Sequence, residues 1–516
     1  MKRLLILLVV LFFVSSCTPA DIGTEPEIVD FYIEPDDFKA GDTPFIYFKA
    51  VDVEGIDKLS VSYNKWEVDH DCNGEKVCEY VWDLSDFEVY VVGRLEIWFE
   101  VIDTAGNKVS DSLYKIISLD IDMPDLEERS IDHGSLDKQD DVWVLSLDGS
   151  SYEMGYAQGY LLGEQIKSLL LSVVYPRGYT TSSIETISGS YTISEKYEEE
   201  IQGMYDGMID SGIEMYMDEV DQEFGIVHLR FMNVFNEIEP AVWDSGCTTV
   251  SVWDEMAEEG HAISARGLGW DVFDELGSAM FKYTLLIARE PDDGNEWVNV
   301  GYPGILGIVT AMNENGVVLS TNNIPDGVAE IDRNFPHDLS LLLGRDLLED
   351  KSVVDPVIEL RDLIDSKHPE SARIMTIGTP DGEGVTEVFG ILEMDAADTV
   401  LRVASDNEDG DLNKLVATNN YLEYKSVYYS SRYKMVLEEI DDYTSGDSVI
   451  GSGELLDIYR SISDNTDAPA QQHIFIVDMD EKSFDLYLAR VEDNSDFIPA
   501  SYGMKNSFNW CDLFEC

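Results

Sequence analysis

The sequence predicts an α+β protein with sheets packed between helices, preceded by an all-β sandwich. Three observations carry that expectation. The first hundred or so residues alternate apolar and polar side chains with period two, a middle stretch repeats apolar residues at helical spacing, and the rest returns to strands joined by Gly and Asn turns. Strands, then helices, then strands within one long region argue for layers of both kinds. At 516 residues, 44% hydrophobic and 11% aromatic, the chain can build real cores in more than one unit.

Taken in order, Met1-Lys2-Arg3 and the apolar run Leu4 to Val14 have the charged and hydrophobic regions of an export signal, too short to span a bilayer. Val14-Ser15-Ser16-Cys17 resembles a lipoprotein signal-peptidase box, so residues 1–17 are expected to be a signal peptide whose Cys17 receives lipid. A polar spacer follows. Within 26–120, Ile28 to Ile33, Phe45 to Phe48, Leu59 to Tyr63, Val89 to Val92 and Leu95 to Val101 read as short strands of a sandwich, closing at the turn Asp103 to Asn107. The last strand and its Ala-Gly-Asn turn resemble bacterial immunoglobulin-like surface modules, which serve as spacers or adhesive units. Residues 121–140 read as a charged linker.

From 141 to 246, a strand at Val142 to Leu147 precedes a helix from Ser151 to Leu170, in which Gly155, Ala157, Gly159 and Gly163 would let a neighbour approach closely. Further helical patterns run from Glu195 to Met217 and from Val220 to Phe235. Beyond Cys247, strands are expected at Thr248 to Trp253, His261 to Ala265, Phe281 to Ile287, Gly316 to Ser320, Ala372 to Ile377 and Ile474 to Val477. Helices are expected at Leu339 to Leu348, Val353 to Ile364 and Ser430 to Ile440.

Charge and cysteines narrow the function. With 34 Lys+Arg against 103 Asp+Glu, the formal charge of -69 repels phosphate backbones and anionic headgroups, which excludes a nucleic-acid role and leaves membrane attachment to the lipid alone. The acidic residues are spread through every segment, as on a heavily hydrated surface suited to salt. Of the six cysteines, Cys72 and Cys78 bracket the turn dipeptide Asn73-Gly74 and are candidates for a disulfide, as are Cys511 and Cys516 at the C-terminus. Cys247 is then the odd thiol, reactive or merely buried.

Cys247 lies in Asp244-Ser245-Gly246-Cys247-Thr248-Thr249-Val250. Were the Gly246–Cys247 bond cut, one residue would supply both a thiol nucleophile and an α-amino base. Downstream come Ala265-Arg266-Gly267-Leu268-Gly269-Trp270-Asp271, Asn322-Asn323-Ile324-Pro325, Thr418-Asn419-Asn420-Tyr421 and Ser431-Arg432-Tyr433, and upstream the glycine-spaced Tyr152 to Gly159. In this order the motifs resemble the autoproteolytic acyltransferase and amidohydrolase family that includes isopenicillin N acyltransferase, related more distantly to bile-salt hydrolases and acid ceramidase. The resemblance covers residues from about 140 to 490.

What it implies is an αββα N-terminal-nucleophile (Ntn) hydrolase sandwich, with 141–246 as the pro-segment and 247–516 as the catalytic part. It implies cleavage before Cys247, with the fragments remaining associated. Arg266 would orient the nucleophile or substrate, Asn323 would be the substrate-site asparagine, Asn419 would donate to the oxyanion, and Arg432 would brace the site. His473 is expected to be structural. Gly269 stands where the resemblance calls for an aspartate that contacts the new amine; Asp271, two residues on, is the candidate substitute and Asp274 a further one.

No phosphate loop, paired Cys-x-x-Cys or His-x-x-x-His helix is present, so neither metal nor cofactor is expected. The turn Asp406 to Asp411 lacks the closing Glu of a calcium loop, which falls on Ala417. The expected activity is hydrolysis of a small N-acyl amide through a Cys247 acyl-enzyme. Its rivals are acyl transfer to an amine and a non-catalytic surface protein that keeps the fold to bind a ligand.

Overall fold

A computed structural model describes residues 26–516 apart from 35–44, 64–65, 84–92, 118–122, 176–178, 239–245, 270–279, 325–336, 368, 370, 383, 396–397, 408–409, 424–429, 446–447, 466–470, 492–496 and 516. The expected signal peptide with Cys17, and also Asp271, Asp274 and Cys516, lie outside the described residues. Two compact units divide at Asp120 and Ile121.

Among the described residues the first unit has five antiparallel strands: β1 (Glu27–Glu34), β2 (Phe45–Tyr63), β3 (Trp66–Asp83), β4 (Gly93–Asp103) and β5 (Lys108–Ile117). Ile46, Phe48 and Ala50 point one way along β2, and Ile56, Leu59 and Val61 rejoin the same core after the register slips between Val51 and Ile56. The period-two pattern thus yields strands, but among the described residues they pair as one sheet rather than the two of the expected sandwich. Asp103 closes the predicted turn by accepting the N–H groups of Ala105 (2.9 Å) and Asn107 (2.7 Å). Cys72 and Cys78 are disulfide-bonded. Asn73-Gly74 makes no hairpin, however. Both residues take positive φ, 54° and 78°, in a bulge within β3, where a Cβ on Gly55 would lie 2.3 Å from the Gly74 carbonyl oxygen.

The second unit opens with β6 (Arg129–Ile131), β7 (Gly134–Gln139) and β8 (Val142–Gly149). The first two occupy the segment expected to be a linker. Its charges mark the border of a sheet instead, with β6 as the outermost strand: in β7 beside it Leu136 is buried while Asp137 and Lys138 face solvent. The α-helices α1 (Ser151–Leu169), α2 (Thr181–Ser188), α3 (Glu195–Asp210) and α4 (Ile226–Ile238) follow. Ser150 caps α1 through a capping box with Glu153.

Cys247 precedes β9 (Thr248–Val252), after which come β10 (Ile263–Gly269), β11 (Leu285–Pro291), β12 (Trp297–Gly301), β13 (Thr310–Asn313) and β14 (Val318–Asn323). Then come α5 (Ser340–Glu349), α6 (Pro356–Lys367), β15 (Arg373–Gly378), β16 (Phe389–Met394), β17 (Thr399–Arg402) and β18 (Lys414–Ala417). The chain ends with α7 (Ser431–Thr444), α8 (Ser452–Asn465), β19 (Gln471–Asp478), β20 (Ser483–Leu488) and β21 (Lys505–Asn509). Cys511 is disulfide-bonded.

These strands build two large sheets. One has six strands in the order β18-β9-β10-β19-β20-β21, the other ten in the order β17-β16-β15-β14-β13-β12-β11-β8-β7-β6. They face each other through Val144, Leu286, Val298 and Ile374 on one side and Leu415, Phe475, Leu486 and Phe508 on the other. The opposite face of the six-stranded sheet, with Val250, Ala265 and Ile474, is covered by Val436 and Ile440 of α7 and Leu455 and Tyr459 of α8. The opposite face of the ten-stranded sheet, with Ala311, Leu319 and Met375, is covered by Leu347 of α5 and Leu360 of α6. The layers therefore run helix, sheet, sheet, helix, as expected.

Two features bind the segment before Cys247 to the segment after it. Strand β8 runs parallel to β11 from Val144 opposite Leu286 to Gly149 opposite Pro291. On α3, the fully buried Glu200 pairs with Arg289 of β11 and, at 2.8 Å, with Arg345 of α5. Arg345 also bonds Glu349 at 2.7 Å. Burial by itself would raise the Glu349 carboxyl, but Arg345 and Lys196 beside it push it down to about 2. The predicted glycine stripe lets α1 and α3 touch backbone to backbone: a Cβ on Gly155 would lie 2.0 Å from the Glu200 carbonyl oxygen, and one on Gly159 1.9 Å from that of Met204.

Candidate active site

Strand β9 is interior to its sheet, paired with β10 and β18, so its side chains divide between the two faces. Val250 and Val252 enter the helix layer. Thr249 points the other way, with its Oγ1 3.2 Å from Ser320 Oγ on the facing sheet. Cys247, two residues before Thr249, falls on that inter-sheet side. It is 3% exposed and is the unpaired cysteine among the described residues.

Arg266 lies directly across from Thr249 in the β9–β10 register and so shares its face. Its NH2 is 3.4 Å from Cys247 Sγ and donates to the Thr321 carbonyl at 2.7 Å. Its NH1 is 3.3 Å from His473 Nε2. Burial, reinforced by the Arg266 charge, holds the His473 pKa well below the ordinary imidazole range, so the ring is neutral and Nε2 accepts from the guanidinium. His473 is thus a buried, neutral neighbour of Arg266.

Asn419 and Arg432 form a second group. Arg432, in the first turn of α7, donates from NH2 to Asn419 Oδ1 at 2.6 Å, and Asn419 Nδ2 donates to the Asn323 carbonyl at 2.7 Å. Because a guanidinium can only donate, this bond fixes which end of the Asn419 amide is oxygen. Ser430 holds the helix start by accepting the Tyr433 N–H at 3.1 Å. Of Asn323, then, the structure brings in the main-chain carbonyl. The buried asparagine side chain is that of Asn322, whose Nδ2 reaches the Ala417 and Thr418 carbonyls at 3.3 Å each. Strand alternation explains the exchange: Asn322 shares the inter-sheet face with Ser320, and Asn323 does not.

Several neighbours carried no sequence signal. The Tyr459 hydroxyl lies 2.8 Å from the Thr248 carbonyl and 2.9 Å from that of Ala265, and accepts the Gly267 N–H at 3.1 Å. Burial raises its pKa, and the Arg266 charge opposes that rise. Tyr302, whose pKa is raised by burial against the Arg266 charge, donates to Gln472 Oε1 at 3.3 Å. Buried Arg373, across from Asn323 in register, pairs with Glu237 at 3.8 Å. Glu237 in turn accepts from Ser340 Oγ and the Leu341 N–H, each at 2.8 Å. These residues are far apart in the chain and ordinary in type, and the packing of helices on sheets assembles them.

Gly269 ends β10 next to the expected cut. Its carbonyl accepts the Gly246 N–H at 3.1 Å and the Cys247 thiol at 3.9 Å. A group of metal-ligating type, apart from the disulfide cysteines, is found among the described residues at His261, Asp478 and Asp480. It sits at the other end of β10, with His261 Nδ1 already 2.8 Å from Asp478 and Asp480 accepting the Ala262 N–H at 2.7 Å.

No family model matches the chain. An uncharacterized protein of Archaeoglobus fulgidus is 27% identical over 206 residues, 36% of this chain and 33% of that protein. Protein dcd1B of Dictyostelium discoideum is 24% identical over 195 residues, 34% of this chain and 37% of that protein. The chain spans about a third of the length of these curated relatives. Among solved structures, an N-acylethanolamine-hydrolyzing acid amidase ortholog from Caenorhabditis elegans has 13% identity and a TM-score of 0.35, covering 51% of this chain and 99% of its own. A conjugated bile acid hydrolase variant from Clostridium perfringens has 12% and 0.33, covering 51% and 97%. A penicillin V acylase from Agrobacterium tumefaciens has 11% and 0.32, covering 49% and 86%. Likenesses at this level assign no activity.

Proposed function

We propose that this chain is a self-processing cysteine amidohydrolase of the N-terminal-nucleophile type that cleaves small linear N-acyl amides. The observation that carries the reading is the Arg266 guanidinium 3.4 Å from the unpaired Cys247 thiol at the head of an interior strand. A permanent positive charge is fixed there beside the sulfur that must carry negative charge as it attacks. Cleavage of the Gly246–Cys247 bond would add an α-amino group, whose unperturbed pKa of about 7.7–8.0 suits it to take the thiol proton near neutrality.

In turnover, Sγ adds to the amide carbonyl carbon and the carbonyl oxygen becomes an oxyanion. The C–N bond then breaks, the leaving nitrogen takes up the proton, and a thioester remains. Water hydrolyses the thioester to a carboxylic acid and restores the thiol. The Asn419 amide, oriented by Arg432, is the oxyanion donor; such a donor is worth about 2.7–4 kcal/mol in acyl transfer. An amine in place of water would make the same thioester an acyltransferase intermediate, and in an exported setting water is the more abundant acceptor. The shared sheet and the buried Glu200 pairs support fragments that stay together after the cut. Export with lipid attachment at Cys17 completes the proposal.

The alternative, a non-catalytic binding protein, is favoured by Gly269, which leaves no carboxylate at the expected place. Mass spectrometry of purified protein separates the two. Two fragments, the second beginning at Cys247, are expected for the natural chain, and a whole chain for Cys247→Ala. Asn419→Ala should release the amine from an N-acyl amide roughly 10²–10³-fold more slowly. An uncut chain with an unreactive Cys247 would establish the binding protein instead.

A further inference from the structure

The bare backbone of Gly269 is built against the peptide bond that precedes Cys247. A Cβ placed on Gly269 would stand 2.6 Å from the Gly246 carbonyl oxygen, 2.7 Å from its carbonyl carbon and 2.8 Å from its Cα. All three are main-chain atoms, which cannot swing aside as the end of a flexible side chain can. The Gly269 carbonyl meanwhile accepts both the Gly246 N–H, at 3.1 Å, and the Cys247 thiol, at 3.9 Å. One acceptor therefore restrains the groups on both sides of the Gly246–Cys247 amide. The register of β10 against β19 shifts between Leu268 and Gly269, so Gly269 pairs with Gln471 just past an irregularity in the ladder.

We infer that Gly269 is a positioning residue for self-cleavage, and that a glycine is required there because the uncut Gly246–Cys247 peptide lies directly on it. The inference rests on the proposed reading that the chain cuts itself before Cys247, and it reverses the expectation drawn from that reading. The aspartate expected at 269 would not restore a missing function in this chain; it would dislodge the peptide to be cut. The step it serves is an N-to-S acyl shift. Sγ of Cys247 forms a bond to the Gly246 carbonyl carbon, the C–N bond breaks, and the freed nitrogen takes the thiol's proton to become the α-amine. Water then cleaves the thioester, leaving the Gly246 carboxylate and the Cys247 thiol. With Gly246 and Sγ held on a common carbonyl, attack begins from a restricted set of geometries.

The test uses the full chain in two arms. In the first, cutting is followed by intact-mass analysis for the natural chain, Gly269→Ala and Gly269→Asp, with and without hydroxylamine, which intercepts a thioester once formed. Both substitutions should slow cutting at least about tenfold, and hydroxylamine should not restore it, because the defect precedes the thioester. Rescue by hydroxylamine, or either variant cutting at the natural rate, overturns the inference. The second arm is set in Cys247→Ala, which stays uncut whichever reading holds. There Gly269→Ala should lower the Tm by at least about 2 °C through overpacking against Gly246. An unchanged Tm also overturns the inference. A natural chain that never cuts while the second arm shows the drop refutes self-cleavage alone and leaves the packing intact.

Discussion

At the scale of single residues, the candidate site divides into what motif order reveals and what register assembles. Cys247, Arg266, Asn419 and Arg432 were legible because each sits in a short, ordered motif, and Arg266 meets the thiol while Arg432 meets Asn419. Asn323 was legible in position but not in orientation, since one step along a strand exchanges the faces it and Asn322 present. Tyr459, Tyr302 and the Glu237–Arg373 pair were illegible, because a tyrosine or an ion pair acquires meaning only from what the fold sets beside it. His473 gives this scale a pH dependence. Its pKa is depressed in the folded protein, so below the unfolded value of about 6.5 the unfolded chain binds a proton that the folded chain refuses. Stability from this residue is therefore present above about pH 6.5 and lost as pH falls below it, at up to about 1.4 kcal/mol per pH unit. Urea unfolding of Cys247→Ala and Cys247→Ala/His473→Gln between about pH 7 and pH 5 should show the steeper acid loss in the chain that keeps the histidine. Parallel pH profiles would refute the assignment.

At the scale of elements, glycine spacing foretold the close approach of α1 to a neighbour, and the partner proves to be α3. The linker expectation failed because an edge strand and a charged linker look alike in composition: β6 and β7 show solvent so much of their surface that the period-two signal is lost. The ionic centre under α3 was equally hidden, since Glu200, Arg345 and Glu349 on helices and Arg289 on a strand all read as surface charges. Removing one partner there leaves buried charge uncompensated, a cost of about 3–5 kcal/mol. Glu200→Ala in the uncut Cys247→Ala chain is expected to lose roughly that much in denaturant unfolding. A loss below about 1 kcal/mol would mean that the two arginines find other partners or water.

At the scale of the whole molecule, the layered order of the second unit was legible because strand and helix periods differ. The single sheet of the first unit was not, because period two says that strands exist and nothing about which pair. The charge of -69 acts at this scale alone. Self-repulsion among so many carboxylates opposes compaction and is screened as the Debye length shrinks from about 30 Å at 0.01 M to about 3 Å at 1 M salt. The Tm is expected to rise steadily from low salt to molar potassium chloride; a flat response would remove the idea of a surface adapted to salt. Strand β8, finally, bears on how such a protein is cleared. After a cut before Cys247, destruction of the upstream fragment would strip β6 to β8 from the ten-stranded sheet and leave β11 as a raw edge, the kind that recruits other strands into aggregates. The upstream fragment would then act, for as long as it persists, as the cover that keeps the downstream fragment from associating with other chains.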